Sequence, residues 1–381
     1  MKQEQSHAYA AACYHGEYAS CSYACPFRVD VRSFMANIRK GSFQAAYRIL
    51  SDTVLFPGIV TELCQEFCKA HCVRRKNGQA LSILEVEKAC VRLVRSKTPL
   101  SYNIPQKNKT IAVIGAGLSG MACALRLAVK KYHVHVYEKE DNLGGVLRTH
   151  EKFELFLTEI MQRIQNEAIE FHFNHSVDDI GSLNCDAVYI ATGKNGNDFG
   201  LLDSFDDKTL GTNESRCFMG GMLTGVSILD SLEHGMRASK QIEKFLLTGE
   251  VHDYIEEYPY ENCERLMQID TLPDQPAVIP ANPEGYTKEE AVREASRCLK
   301  CDCSRCMKSC EMLQSFKKSP LKIVKEIYTD SIVLHGLSHR TLTREVASCN
   351  MCGQCKSVCP TAVDMGAAFL FARRDRVEQN N

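Results

Sequence analysis

Cysteine carries the chemistry of this chain. There are 20 in 381 residues, and most are gathered at the two ends. Toward one end runs Cys349-x2-Cys352-x2-Cys355-x3-Cys359-Pro360. Three thiolates at this spacing grip one iron–sulfur cubane through a tight turn, and a fourth before proline is directed to a neighbouring cubane. A structural zinc site takes two separated Cys pairs instead, so the run points to [4Fe–4S] chemistry. Upstream, Cys298-x2-Cys301-x-Cys303-x2-Cys306-x3-Cys310 supplies the partner half. Crossed ligation then predicts Cys310 on the Cys349 cluster and Cys359 on the other. The opposite end holds Cys13, Cys21, Cys25, Cys64, Cys68 and Cys72, which makes fifteen clustered thiols. Cys90, Cys123, Cys185, Cys217 and Cys263 read as small buried hydrophobes, and for Cys13 that reading stands beside the ligand one.

A second chemistry lies between the clusters. The apolar run Thr110–Ile114 leads into Gly115-Ala-Gly117-Leu118-Ser119-Gly120, then a helical stretch, a strand His133–Tyr137 and Glu138. Gly115 permits a tight turn, Gly117 lets the backbone approach a pyrophosphate, and Gly120 lets helix lie close to strand. The helix N-terminus offers free N–H groups and a positive dipole end to phosphates. Glu138, with Lys139 beside it, is placed for the ribose hydroxyls of a dinucleotide. Elsewhere no Ser–His–Asp order, paired-carboxylate site or phosphate-binding lysine loop stands out. His15, His71 and His175 read as ordinary histidines, so no residue is assigned catalysis on a substrate.

Positioning these groups requires several domains, which the length allows. The stretch from Asp30 to about Leu50 has helical periodicity, with Phe34, Ile38, Phe43, Ala46 and Ile49 facing a core. Residues 251–286 carry Pro259, Pro273, Pro276, Pro280 and Pro283 and read as an extended tether. Thr287 with Glu290 forms a capping box that opens a helix through Ala291, Ala295 and Cys298. The expected division is residues 1–105 (α-helical iron–sulfur), 106–250 (dinucleotide-binding), a linker 251–286, and 287–381 (a two-cluster module). Lys plus Arg (46) balances Asp plus Glu (47), which argues against nucleic acid as a partner. No apolar run approaches the ~20 residues of a membrane span, and the first residues lack a signal-peptide core. The expectation is a cytoplasmic chain.

Cys21-x3-Cys25-Pro26, the segment Asp30–Leu50, Cys64-x3-Cys68-x3-Cys72 and Ile83–Glu87 resemble the iron–sulfur region of the glutamate synthase small subunit and of the N-terminal part of dihydropyrimidine dehydrogenase. In that family the counterparts of Cys25, Cys64 and Cys68 hold one cluster with an oxygen ligand at the place of Glu87. The counterparts of Cys21 and Cys72 hold another with an upstream Arg-Cys-x2-Cys pair. This chain has only Cys13 upstream, whereas Arg297-Cys298-x2-Cys301 lies far downstream. Either that cluster is completed from the far end of the chain or it is altered. Asn142-Leu-Gly144-Gly145-Val-Leu-Arg148, Ala191-Thr192-Gly193 and Gly220-Gly221-Met222 resemble the FAD-contacting motifs of the same flavoproteins. Met222 stands where they carry Asp, a departure that bears on flavin affinity or potential. Their nicotinamide domain has no counterpart, because only 24 residues separate Gly193 from Phe218 and a βαβ unit needs about 30. The end around Cys310 and Cys349 resembles the α-helical ferredoxin module of heterodisulfide reductase-type subunits.

Together these imply an α+β multidomain oxidoreductase. It would combine an N-terminal α-helical [4Fe–4S] domain, a Rossmann-like FAD domain without the nicotinamide insertion, and a C-terminal α-helical ferredoxin-like domain. Its cofactors would be FAD and about four [4Fe–4S] clusters. Its expected role is an anaerobic electron-transfer subunit in a hetero-oligomer, exchanging electrons with a larger redox-enzyme subunit or a ferredoxin-like carrier. The alternative is a stand-alone flavin reductase acting directly on a small substrate.

Overall fold

Asp30 starts the first helix by accepting a hydrogen bond from the Ser33 amide at 3.1 Å, the usual N-cap device. The helix does not run to Leu50, as its periodicity suggested. In the computed structural model it is two helices, α1 (Val31–Arg39) and α2 (Phe43–Val54), broken at Gly41, which takes a φ of 72°. A positive φ is cheap for glycine alone. Phe34, Ile38, Phe43 and Ala46 are buried as expected, and Leu50 is buried where Ile49 is only half-buried. The structure describes residues 8–9, 12–13, 15, 19–99, 104–251, 275–333 and 343–378; Pro259, Pro273 and Cys263 lie outside them.

The described residues fall into two units. One contains residues 21–251 and 275–298. Its N-terminal part packs α1 and α2 with α3 (Pro57–Leu63) and α4 (Ile83–Leu93). Its centre is a five-stranded sheet of β1 (Thr110–Ile114), β2 (His133–Tyr137), β3 (Ile169–His172), β4 (Ala187–Ile190) and β5 (Cys217–Met219). The order is β3-β2-β1-β4-β5, and every pairing is parallel. Such sheets bury both faces, and here Ile111 and Val113 enter one core while Ala112 and Ile114 enter another. Helix α5 (Leu118–Val129) follows β1, α6 (Phe153–Ile164) precedes β3, and α7 (Ile228–Thr248) lies along α5. Glu159 of α6 accepts from the Gly58 and Ile59 amides at 2.8 Å each, so the sheet domain caps a helix of the iron–sulfur domain.

The contact of α7 with α5 depends on Gly235, where a Cβ would stand 2.1 Å from the Ser119 carbonyl oxygen. Backbone cannot yield there. Gly235→Ala is expected to destabilise by roughly 1–3 kcal/mol or more, read as a fall in the urea midpoint; an unchanged midpoint would show that the helices separate without cost.

Residues 275–298 belong with the N-terminal part and are not a tether. Helix α8 (Lys288–Ser296) has the expected capping box, with the Glu290 amide donating to Thr287 and the Thr287 amide to Glu290. It packs on α1 and α4. Prolines keep the segment before it extended, and the side chains of Gln79 and of α8 meet its donors: Gln79 accepts from the Ala277 amide at 3.1 Å and Glu294 from the Val278 amide at 2.9 Å. Tyr286 is buried, and its hydroxyl donates to the Val278 carbonyl at 2.6 Å.

The other unit contains the described residues of 1–20 and 299–378. Short helices α9 (Arg305–Ser309), α10 (Glu311–Phe316), α11 (Pro320–Val333), α12 (Thr343–Ser348), α13 (Gln354–Ser357) and α14 (Met365–Glu378) surround Leu313, Ile323, Val346 and Phe369. The stretch between Cys310 and Cys349 is thus helical where described, as its sequence implied. No described helix is long and apolar enough to cross a membrane.

Candidate metal centres and nucleotide site

Four elements converge on one cavity of about 550 Å³ in the N-terminal part, lined by Cys25, Cys64, Cys68 and Glu87. Cys25 closes the turn before Pro26. Cys64 follows α3 in extended conformation, and Glu66, at a φ of 55°, turns the chain so that its amide donates to the Cys64 Sγ at 3.4 Å. Cys68 sits in the single helical turn Phe67–Ala70. Glu87 comes from α4, whose Ile83, Val86 and Cys90 are wholly buried. The remaining walls are apolar, among them Phe27, Val31, Leu50 and Val60.

The electrostatics of this set are those of donors lacking a cation. Burial pushes the Cys25 thiol up to about 11 and the Glu87 carboxyl up to about 8, the nearby Glu66 adding to the latter. Burial raises Cys68 further, and next in effect is the charge of Glu87, followed by Cys25 and Cys64. Four groups that resist ionisation together in an apolar pocket need positive charge to deprotonate, which a metal cluster supplies. Three thiols and one carboxylate therefore fit a [4Fe–4S] cluster by number and by chemistry.

Cys21 and Cys298 pack against the same core as Cys72, which is buried. Cys298 reaches this part because α8 does: Arg297 is 4% exposed, Glu294 0%, and their ion pair measures 2.6 Å. Arg297 also donates to the Gln79 carbonyl at 2.6 Å and the Gln275 carbonyl at 3.1 Å. Cys13 belongs to the other unit.

There a cavity of about 400 Å³ is lined by Cys13, Cys303, Cys306, Cys355 and Cys359. Burial pushes the Cys306 thiol up to about 12, and Cys13, Cys303 and Cys359 are the thiols that raise it further. The thiols acting on Cys355 are Cys310 and Cys349. Cys359 lines one cavity with Cys303 and Cys306. Cys352 is exposed. Arg373 of α14 donates to the Val346 carbonyl at 2.7 Å and fixes the approach to Cys349.

The nucleotide motifs, scattered in sequence from Gly115 to Met222, meet around the first turn of α5. Gly115 has a φ of 105° and lies against the Ala191 carbonyl; Gly120 lies against the Gly115 carbonyl; Gly221 touches Ser119. A Cβ on Gly117 would meet nothing closer than the Gly145 Cα at 3.9 Å, so the backbone there is open to a phosphate. The Gly144 amide donates to the Ala116 carbonyl at 2.9 Å, tying the second glycine loop to the first. Glu138 is buried at the end of β2 and accepts from the Ala116 and Glu140 amides at 2.7 and 3.0 Å, which fixes a carboxylate beside the loop. Lys139 and Arg148 are exposed, Arg148 in an ion pair with Asp141 at 3.0 Å. Thr192 donates to the Asn197 carbonyl, Gly193 has a φ of 83° with open space around it, and Met222 is half-buried. The open cradle at Gly117 with an anchored acid fits a dinucleotide such as FAD.

Cys90 is in the core and donates its S–H toward the Phe43 carbonyl; Cys123 and Cys217 are also buried. His15, read as ordinary, lies 2.8 Å from the Cys303 carbonyl through Nδ1. His135, Glu170 and His172 gather on neighbouring strands β2 and β3, a grouping that only the parallel register reveals.

Three family models match separate parts of the chain. Residues 1–98 match the dihydropyrimidine dehydrogenase domain II 4Fe-4S family, residues 113–164 an NAD(P)-binding Rossmann-like domain, and residues 297–364 a 4Fe-4S dicluster domain. The NADPH-Fe(3+) oxidoreductase subunit beta of Geobacter sulfurreducens is 29% identical over 130 residues, covering 33% of this chain and 19% of that protein. The putative oxidoreductase AegA of Escherichia coli is 24% identical over 251 residues, or 64% and 36% of the two chains. The glutamate synthase [NADPH] small chain of Azospirillum brasilense is 30% identical over 132 residues, or 33% and 27%. The matched region is thus well under half the length of each relative. The chain joins a dihydropyrimidine dehydrogenase-type 4Fe–4S domain, a Rossmann-like dinucleotide domain and a 4Fe–4S dicluster domain, and is similar in its parts to the glutamate synthase small chain.

Proposed function

We propose that the chain is an electron-transfer subunit of a larger oxidoreductase, relaying electrons between partner redox proteins through FAD and about four [4Fe–4S] clusters. The observation that carries this reading is the pair of thiol-lined cavities belonging to the two ends of a chain whose middle offers one dinucleotide site. When bound, a flavin exchanges two electrons and cubanes one at a time, so the set can pair or divide them. The chain's own residues supply position and environment. Cys25, Cys64, Cys68 and Glu87 hold one cluster, with Phe27, Leu50 and Val60 keeping water from it and so tuning its potential. Cys310, Cys349, Cys352 and Cys355 hold a second. Gly115, Gly117 and Gly120 let the backbone meet the pyrophosphate, and Glu138 holds the ribose end. Relatives named as a subunit and a small chain support a role within a complex. A cytoplasmic setting, where thiols stay reduced, suits a chain with this many cysteine ligands.

Two results are expected. Anaerobically purified chain should contain about sixteen irons and one FAD; eight irons or fewer would exclude four clusters. Residues 194–216 hold turns, one short 3₁₀ segment and an isolated bridge at Gly211, so NADH and NADPH should bleach the flavin of the isolated chain no faster than a slow background. Stopped-flow reduction at a catalytically useful rate by either nucleotide would overturn the relay reading.

A further inference from the structure

The first half of the C-terminal dicluster run is one thiol short. In Cys349-x2-Cys352-x2-Cys355 the first ligand stands three residues before the second. The matching place before Cys303 is occupied by Lys300, and Cys301 is one residue out of register. Local spacing therefore gives Cys303, Cys306 and, by crossing, Cys359, with the fourth place unfilled.

Cys13 stands at that place. It lines the same cavity as Cys303, Cys306, Cys355 and Cys359, which Cys301 does not. The short segment carrying it is seated on both sides. Before it, the Tyr9 hydroxyl donates to the Asp364 carbonyl at 3.0 Å, and the Thr361 hydroxyl donates to the Ala12 carbonyl at 2.6 Å. After it, the His15 imidazole meets the Cys303 carbonyl at 2.8 Å and lies 3.5 Å from Asp302. Thr361 also stands 3.3 Å from the Cys359 Sγ, so one side chain links the Cys13 segment to the Cys359 turn.

We propose that Cys13, Cys303, Cys306 and Cys359 hold one [4Fe–4S] cubane, so that a ligand from the first residues of the chain completes the C-terminal module. This rests on the iron–sulfur reading above. It removes Cys13 from the Cys21 and Cys72 cluster and leaves Cys310, Cys349, Cys352 and Cys355 as the other cubane of the module. Tyr9, Thr361 and His15 act as positioning residues that hold the thiol at the cavity wall.

The test is iron analysis with low-temperature EPR on the anaerobically purified full chain and its Cys13→Ala, Cys301→Ala and Cys306→Ala variants. Cys13→Ala and Cys306→Ala should lose the same signal, with a loss of up to about four irons, and Cys301→Ala should keep that signal. If Cys306→Ala loses it while Cys13→Ala keeps full iron and an unchanged spectrum, the proposal fails and the cluster reading survives. If neither variant changes, the cluster reading of this module fails as well. Should Cys13→Ala not fold, alkylation of the wild-type chain decides: Cys13 should resist iodoacetamide until iron is chelated away, and its alkylation in iron-replete protein overturns the proposal.

Discussion

Replacing Glu87 by alanine should strip or distort one N-terminal cluster, with a loss of up to about four irons per chain. Cys25, Cys64 and Cys68 are one ligand short of a cubane, and Glu87 is the remaining donor lining their cavity. The next thiol along α4, Cys90, is buried in the core and turned to the Phe43 carbonyl. A carboxylate is a harder ligand than a thiolate, and ligand type is one of the levers that set a cluster's potential. Glu87→Cys should therefore retain the iron at a shifted midpoint, measured by EPR-monitored redox titration. Full iron and an unchanged titration in Glu87→Ala would show that the fourth ligand is another group.

A comparably large effect is expected from Glu294→Ala, this time on stability. Glu294 is 0% exposed, and its two oxygens serve Arg297 at 2.6 Å and the Ser82 and Val278 amides at 2.9 Å each. Removing it leaves a guanidinium buried without its counter-charge and two amides without acceptors. Breaking a buried pair in this way costs about 3–5 kcal/mol. Replacing both members, as in Glu294→Met with Arg297→Met, should cost much less, because no lone charge remains. Urea denaturation followed by far-UV circular dichroism separates the two. A single variant within 1 kcal/mol of wild type, on the order of a surface change, would mean that water reaches the pair.

Much of this was legible because it is local. Four thiols in one run, a glycine loop between a strand and a helix, and Thr287 with Glu290 each state their geometry within a few residues, and each is met in the structure. What was not legible depended on distance along the chain. Proline content made 275–286 read as a tether, yet Gln79, Glu290 and Glu294 satisfy its amides, and acceptors on other elements leave no local trace. The anchorage of the Cys13 segment to residues 303, 361 and 364 likewise leaves no local trace. The break at Gly41 was concealed because the hydrophobic period continues on both sides of it.

The docking of α8 also sets an order of events during synthesis. Hydrogen bonds from Ser82 to Glu294 and from Arg297 to Gln79 span 212 and 218 residues. Loop closure over such separations is slow, and early domains otherwise fold as they leave the ribosome. The N-terminal four-helix region therefore emerges with one wall absent and waits for the whole sheet domain before residues 275–298 close it. Iron delivered to a nascent chain would meet an open site. Pulse-labelled hydrogen exchange during refolding should show the Ser82 and Val278 amides gaining protection together, after the β1 amides; protection of Ser82 ahead of the sheet would refute that order.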